Sequence, residues 1–312
     1  MKTIGIDFGG TTIKLAAMEN GRILKKTSIP AYARNGLAAR LEDTRQAVFK
    51  VAGSDGTGSF SCVGISMPGI VDPVRKKPIG LIGKYEDSLG MDLESWCRKA
   101  FGLPMVMEMD SKLALLGELR YGCARGFQDA AMLILGTGVG TAVAYQGMVL
   151  KSRHYTAGAL ASHIIIDING PDCICDNQGC LESMASGWAL KRLVKQDKEY
   201  AESGLSKETE LSFKTLRKWY QRQDPTALRV VRHCVKAWRA GIVNLIHAYD
   251  PEIVVLSGGI MNFEGLYEML SEGIQDHIWD CCGSVEIRKA KDPENSVLYG
   301  LHYLCQTSGL SG

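Results

Sequence analysis

A short apolar run, residues 3–6, ends in Asp7, passes through Gly9-Gly10-Thr11-Thr12, and resumes as the apolar run 13–18. This pattern predicts a β-hairpin whose tight turn carries two glycines and two hydroxyls. Residues 22–29 extend it into a third strand. Helical spacing puts Leu37, Leu41, Val48 and Val51 on one face of a helix over 37–52. A glycine-rich loop over 53–58 leads to a buried strand, 62–66, stopped by Met67-Pro68-Gly69. A helix over 93–101, a strand over 105–107 ending at Glu108-Met109-Asp110, and a helix over 111–121 complete a β-β-β-α-β-α-β order.

The same plan restarts downstream, so a second lobe is expected from about residue 113. Strands 130–135 and 141–145 flank Gly136-Thr137-Gly138-Val139-Gly140. A long helix over 226–249 stops before Asp250-Pro251. Strand 253–256 is closed by Ser257-Gly258-Gly259. Helix 263–279, strand 285–287 and a closing helix over 296–306 follow. Trp96, Trp188, Trp219, Trp238 and Trp279 fall at helical apolar positions, suited to packing or a dimer face.

Composition narrows the class. With 312 residues, two lobes can each bury a core. A formal net charge of +2 gives no basic footprint for nucleic acid. No apolar stretch reaches membrane-spanning length, and the chain opens directly into a strand, so no signal peptide or membrane partner is expected. Of ten cysteines, Cys62, Cys97, Cys123, Cys234 and Cys305 fall singly in apolar surroundings, and Cys281-Cys282 have no metal spacing. Buried free thiols point to a reducing cytoplasm.

Candidate chemistry sits at strand ends, where α/β sheets present ligand-binding groups. Gly9 and Gly10 allow backbone N–H groups to approach an anion, with Thr11 and Thr12 as further donors. Asp7 is placed to hold a hydrated Mg²⁺. Gly136 to Thr141 falls one residue short of G-x-G-x-x-G and lies in a hairpin, which weakens a dinucleotide reading; no P-loop occurs. Read alone, Asp110 is a helix N-cap. His163, Cys173, Cys175 and Cys180 offer an imidazole and three thiolates, a set suited to tetrahedral Zn²⁺ with no open position. The competing reading is three unrelated buried thiols.

These residues together resemble the ROK family of the actin-like sugar kinases. The resemblance rests on Asp7-Phe8-Gly9-Gly10-Thr11, Gly64-Ile65-Ser66-Met67-Pro68-Gly69-Ile70-Val71-Asp72, Glu108-Met109-Asp110 and Leu135-Gly136-Thr137-Gly138-Val139-Gly140. It continues through His163, Cys173-Ile174-Cys175-Asp176-Asn177-Gln178-Gly179-Cys180-Leu181-Glu182 and Asp250 to Gly259. It implies an α/β fold of two actin-like (ribonuclease H-like) lobes with a nucleotide cleft between them. The expected lobes are 1–112 with 296–312, and 113–295 with a zinc loop at 163–180. It implies ATP and Mg²⁺ held by Asp7, Gly9, Gly10, Thr11, Thr12, Lys14, Gly136, Thr137, Gly138, Gly258 and Gly259. The zinc would be structural, and Asp110 would be the base that takes a proton from a primary sugar hydroxyl. Ser66, Pro68, Gly69, Met109, Asp110, Leu160, His163 and Glu182 would line the sugar. A homodimer is expected by analogy.

The departures concern the acceptor. The family's Asn before the catalytic Asp is Met109 here, and its Gly-Glu-x-Gly-His is Ala159-Leu160-Ala161-Ser162-His163. Its Asn-Leu before a Trp has no clean match in 83–92. Polar groups that read ring hydroxyls discriminate strongly, so their loss argues against plain glucose and for a substituted sugar or glycoside. The leading expectation is an ATP-dependent carbohydrate kinase. The alternatives are a non-catalytic sugar-sensing member of the family and an ATPase without a sugar substrate.

Overall fold

The computed structural model describes residues 1–53, 56–81 and 83–309. Ser54 and Asp55 of the expected glycine-rich loop, and residues 310–312 of the expected first lobe, lie outside the described residues. The chain divides into two compact units, one of 1–126, 148–157 and 291–312, the other of 127–147 and 158–290.

In the first unit β1 (Lys2–Phe8), β2 (Thr12–Glu19) and β3 (Arg22–Pro30) form the expected antiparallel meander. After α1 (Leu41–Ala52), β4 (Cys62–Met67) pairs parallel with β1, and the small hairpin β5 (Ile70–Asp72) and β6 (Lys77–Gly80) follows. α2 (Leu93–Phe101) leads to β7 (Met105–Met109), which pairs parallel with β4, and then to α3 (Asp110–Tyr121). The sheet order is β3-β2-β1-β4-β7. Side chains alternate across a strand. Ile4, Ile6 and Phe8 therefore enter one core with Val48, Cys97 and Phe101 from α1 and α2. Gly5 and Gly64 face the other way, leaving room for a helix laid directly on the sheet.

The second unit is built on β8 (Ala130–Leu135) and β9 (Val139–Tyr145), an antiparallel hairpin. A segment with β10 (Met148–Val149) returns to the first unit, where it packs on α3. Then come α4 (Leu181–Ala185), α5 (Leu190–Lys195), α6 (Phe213–Gln221) and α7 (Pro225–Tyr249). Asp224 caps α7, its carboxylate accepting from Ala227 N–H at 3.0 Å. β11 (Ile253–Ser257) pairs parallel with β8 and with β12 (Glu286–Lys289). Between them only α8 (Leu266–Ser271) is α-helical. The single helix expected over 263–279 does not form, because Gly265 and Gly273 adopt left-handed φ of 75° and 61°. Trp279 is correspondingly no packing residue: it is 75% exposed.

α9 (Ser296–Thr307) closes the first unit. Its Leu298 and Leu301 fill the space over Gly5 and Gly64, and its Gly300 crosses α3 at Gly117. A Cβ at Gly117 would lie 2.0 Å from Ser296 O, and one at Gly300 the same distance from Leu113 O. This helix-on-helix contact explains why the first unit runs to 126 rather than ending at the expected 112. Buried His302 accepts from Gly21 N–H through Nε2 at 3.0 Å, which leaves Nδ1–H to pair with Thr3 Oγ1 at 2.6 Å. Burial holds the ring neutral, with its pKa down to about 4. Cys305 and Cys62, expected to stand singly, pack in one small cluster with Val106.

Glu118 ties the same junction. Its carboxylate accepts from Ser296 Oγ at 2.6 Å, Cys123 N–H at 2.8 Å and Lys291 N–H at 3.2 Å. Glu118→Ala strands three polar groups and is expected to cost about 3 kcal/mol or more, read as a fall in Tm. An unchanged Tm would refute this account of the junction. Among the described residues, no helix is long and apolar enough to cross a membrane.

Candidate active site

In the first unit the parallel register brings three candidate residues to adjacent strand ends. Asp7 pairs with Ser66 across β1–β4, Ser66 with Glu108 across β4–β7, and Asp110 follows β7 as the first residue of α3. Asp7 is buried, which raises its pKa; the facing Ser66 hydroxyl and Lys14 oppose that rise. Ser66 Oγ is buried and faces Asp7, yet makes no hydrogen bond of ordinary length and angle among the described residues. Burial, and then the Asp7 carboxylate, push Asp110 up to about 6 against the pull of Ser111 N–H and Lys84. Ser111 N–H donates to Asp110 Oδ1 at 2.7 Å, so one oxygen organises the helix start and the other remains for chemistry. Met109, not Asp110, takes the cap position.

The Gly9–Gly10 turn lies beside this row. A Cβ on Gly9 would meet Thr12 O at 2.7 Å, so the turn closes only around glycine. Thr11 is exposed, and its carbonyl accepts from Ala31 N–H at 3.0 Å. Lys14 stands opposite Asp7 in register, but its ammonium donates to Glu294 O at 2.9 Å. Pro68 and Gly69 turn the chain from β4 into β5. Only glycine fits the second position, because a Cβ there would meet Gly80 O at 2.2 Å. Two residues that sequence patterning passed over complete the group. Tyr85, buried in a left-handed conformation, donates its hydroxyl to Gly9 O at 2.9 Å. Lys84 extends over Gly10.

The second unit gathers its own set. Gly136-Thr137-Gly138 turns between β8 and β9, and Gly258 follows β11, the strand parallel to β8. Gly258 has φ 98°, and a Cβ there would stand 2.2 Å from Leu135 O, so the two glycine turns abut. Beside Gly259 opens a recess of about 250 Å³ lined by Phe213, Lys214, Arg217, Ile260, Asn262 and Phe263. None of those six except Phe263 carried a sequence signal, since α6 reaches the site only through the tertiary fold.

Glu182, expected beside the sugar, uses each of its oxygens once within the second unit. Oε2 accepts from Val139 N–H and Oε1 from Trp188 Nε1, both at 3.0 Å. Gly187 N–H donates to Gly136 O at 3.0 Å and Trp188 N–H to Thr137 O at 2.9 Å. The chain from 182 to 188 therefore braces the Gly136–Gly138 turn. Trp188, expected on a helical apolar stripe, contributes through its indole N–H.

His163, Cys173, Cys175 and Cys180 converge, with their ligand atoms all within 4.8 Å of one another. Cys173 Sγ lies 3.5 Å from His163 Nδ1, and Cys175 Sγ 3.6 Å from Cys180 Sγ. Such spacings match edges of a tetrahedron around one Zn²⁺ with its usual bond lengths. Burial and two neighbouring thiols push Cys180 up to about 12, a cost that a bound cation removes. Leu160 precedes this cluster and is 43% exposed.

The ROK family profile matches residues 3–308. The chain belongs to the ROK family. A glucokinase of Thermotoga maritima is 32% identical over 289 residues, covering 89% of this chain and 88% of that one. An N-acetyl-D-glucosamine kinase of Photobacterium profundum is 27% identical, covering 96% and 98%. The structure of a ROK family glucokinase from Streptomyces griseus in complex with glucose and AMPPNP aligns with TM-score 0.81 and 25% identity, covering 98% and 99%. This ROK protein thus has the α/β, actin-like fold that the resemblance of its ordered motifs implied.

Proposed function

We propose that this chain, an ATP-dependent sugar kinase of the ROK family, phosphorylates a primary hydroxyl of a sugar with Asp110 as general base. The observation that carries the reading is the row Asp7, Ser66 and Asp110 at three adjacent strand ends, beside a turn only glycine can make. Phosphoryl transfer needs positioning and charge neutralisation above all. Backbone N–H groups of the Gly9–Gly10 and Gly136–Gly138 turns, with Thr11, Thr12 and Thr137, are assigned to the phosphates. The adenosine is assigned to the recess beside Gly259. Asp7 would hold Mg²⁺ through water, and the buried Ser66 hydroxyl beside it fits such a hydrated site. The metal's contribution there is charge neutralisation.

A bond forms between the sugar oxygen and the γ-phosphorus as the bond to the ADP oxygen breaks. The hydroxyl proton passes to the Asp110 carboxylate as the oxygen bonds to phosphorus, which leaves Asp110 neutral until the proton is released to solvent. A base with a pKa near 6 is ionised at neutral pH yet more receptive than an ordinary Asp. His163, Cys173, Cys175 and Cys180 are assigned to a structural Zn²⁺, which would cross-link the loop that carries Leu160 and leads into α4.

Met109 and Leu160 replace hydroxyl-reading groups by apolar ones, so the substrate is assigned to sugars carrying a substituent or lacking a hydroxyl, such as amidated or deoxy sugars and glycosides. ADP release across a panel of these, with glucose included, tests both levels. Turnover fastest with glucose would overturn the substrate class. Tight binding of one sugar without ADP release would favour a sensor. With the preferred sugar, kcat/KM is expected to rise with pH through about 6 and level above it, because the base must be deprotonated. A flat profile from pH 5 to 8 would remove Asp110 as the titrating base.

A further inference from the structure

The site holds two buried or half-buried carboxylates, Asp7 and Asp110, and on the proposed reading it must also receive the phosphates of ATP. Such a concentration of negative charge requires fixed positive charge where charge develops. The lysine of the opening motif does not lie free for this, since Lys14 Nζ is held 2.9 Å from Glu294 O. Another lysine does. A methyl group built on Gly10 would stand 3.0 Å from Lys84 Cε and 3.1 Å from its Nζ, so the side chain lies across the turn. It is close enough to Asp110 for its charge to act on that carboxylate. Lys84 is half-buried and makes no hydrogen bond or ion pair among the described residues.

The backbone that carries it is tied on both sides. Gly83 N–H donates to Glu86 Oε1 at 2.9 Å. Tyr85 sits at φ 52°, ψ 33°, a conformation unfavourable for a non-glycine residue. That cost is offset by Tyr85 N–H to Ala33 O at 2.9 Å, by its hydroxyl bond to Gly9 O, and by its ring packed edge-on against Phe8. Asp87 adds two bonds from Leu37 and Ala38 N–H. Backbone strain of this kind persists only when the surroundings over-determine it. Here its effect is to lay one unpaired cation over the phosphate turn.

We propose that Lys84 is a catalytic cation that neutralises charge on the phosphoryl group as it moves to the sugar oxygen. The proposal rests on the sugar-kinase reading above. Lys84 takes no part in bond making, and the hydroxyl proton still goes to Asp110. The cation lies over the Gly10 turn, so its effect is assigned to the transfer.

The test compares Lys84→Met, Lys84→Gln and Lys84→Arg with Asp110→Asn under saturating ATP and the preferred sugar. Both neutral variants are expected to lose about 100-fold or more in kcat, the scale of one electrostatic contact in a water-poor site. Their KM values for ATP and sugar should stay within about threefold of the parent if the contact belongs to the transition state. Lys84→Arg is expected to recover at least about a tenth of kcat, since it restores charge, though not shape. A kcat loss of less than about threefold in both neutral variants overturns the proposal, as does a rise confined to the sugar KM. Thermal melts of the three variants matching the parent exclude misfolding as the cause. If Asp110→Asn is inactive while Lys84→Met is not, only the role of Lys84 fails. If Asp110→Asn is also unaffected, the sugar-kinase assignment of the site fails with it.

Discussion

Asp110→Asn is expected to lower kcat by roughly 10²–10⁴-fold, the usual worth of a positioned general base. The substitution is nearly isosteric, and its amide oxygen can still accept from Ser111 N–H, the bond that starts α3. The helix and its contact with α9 should therefore survive, and Tm should move little. What disappears is the negative charge and the proton acceptor. Removing the charge also relieves repulsion with Asp7, so binding of an ATP analogue should be unchanged or slightly tighter. The measurements are steady-state ADP release and calorimetric titration with the analogue. Turnover within about tenfold of the parent would mean that Asp110 organises the helix start and nothing more.

The second large effect is expected at the His163–Cys180 cluster. Cys180→Ser, or treatment with a strong chelator, should release one zinc per chain, measured by atomic emission. Structural zinc contributes on the order of 10 kcal/mol in small domains. Even a share of roughly 3 kcal/mol would lower Tm by about 6–12 °C in a unit of this size. The damage should spread in a definite direction. Cys180 is the residue from which α4 begins, and Leu181 N–H donates to Ile164 O at 3.0 Å. Glu182, Gly187 and Trp188, just beyond, hold the Gly136–Gly138 turn. Loss of metal is therefore expected to weaken ATP binding by about tenfold or more, a plausible scale for losing support of a ligating shell. A metal-free protein with unchanged Tm and unchanged ATP affinity would show the cluster to be incidental.

Much of the first unit was readable because its signals are local. Asp7, Gly9 and Gly10 stand where an apolar run breaks, and Asp110 stands where a strand meets a helix. The cysteine spacing likewise lies within one loop. What escaped was decided by contacts distant in sequence. Lys84 and Tyr85 lie in a segment without periodicity, and Tyr85 takes a backbone conformation that its residue type disfavours. Their meaning comes from Gly9 and Gly10, far earlier in the chain. The apolar spacing over 263–279 looked helical because periodicity ignores backbone preference; Gly265 and Gly273 then decided the outcome. Trp188 carried an apolar signal, while its role depends on an indole N–H aimed at Glu182. The Glu118 junction was invisible for the same reason, since its partners Lys291 and Ser296 are separated from it by the whole second unit.

The crossing of α3 and α9 at Gly117 and Gly300 also sets an order of events during synthesis. The helix that begins with Asp110 emerges early from the ribosome, whereas the surface it packs on emerges after every element of the second unit. Until then the part of the first sheet over Gly5 and Gly64 stays uncovered. The nascent first unit must wait as an incomplete body, and α3 gains its packing partner only when α9 docks. A chain cut short before Ser296 would be left with that part of the sheet uncovered, and quality control could recognise it by that exposed apolar surface rather than by its missing activity.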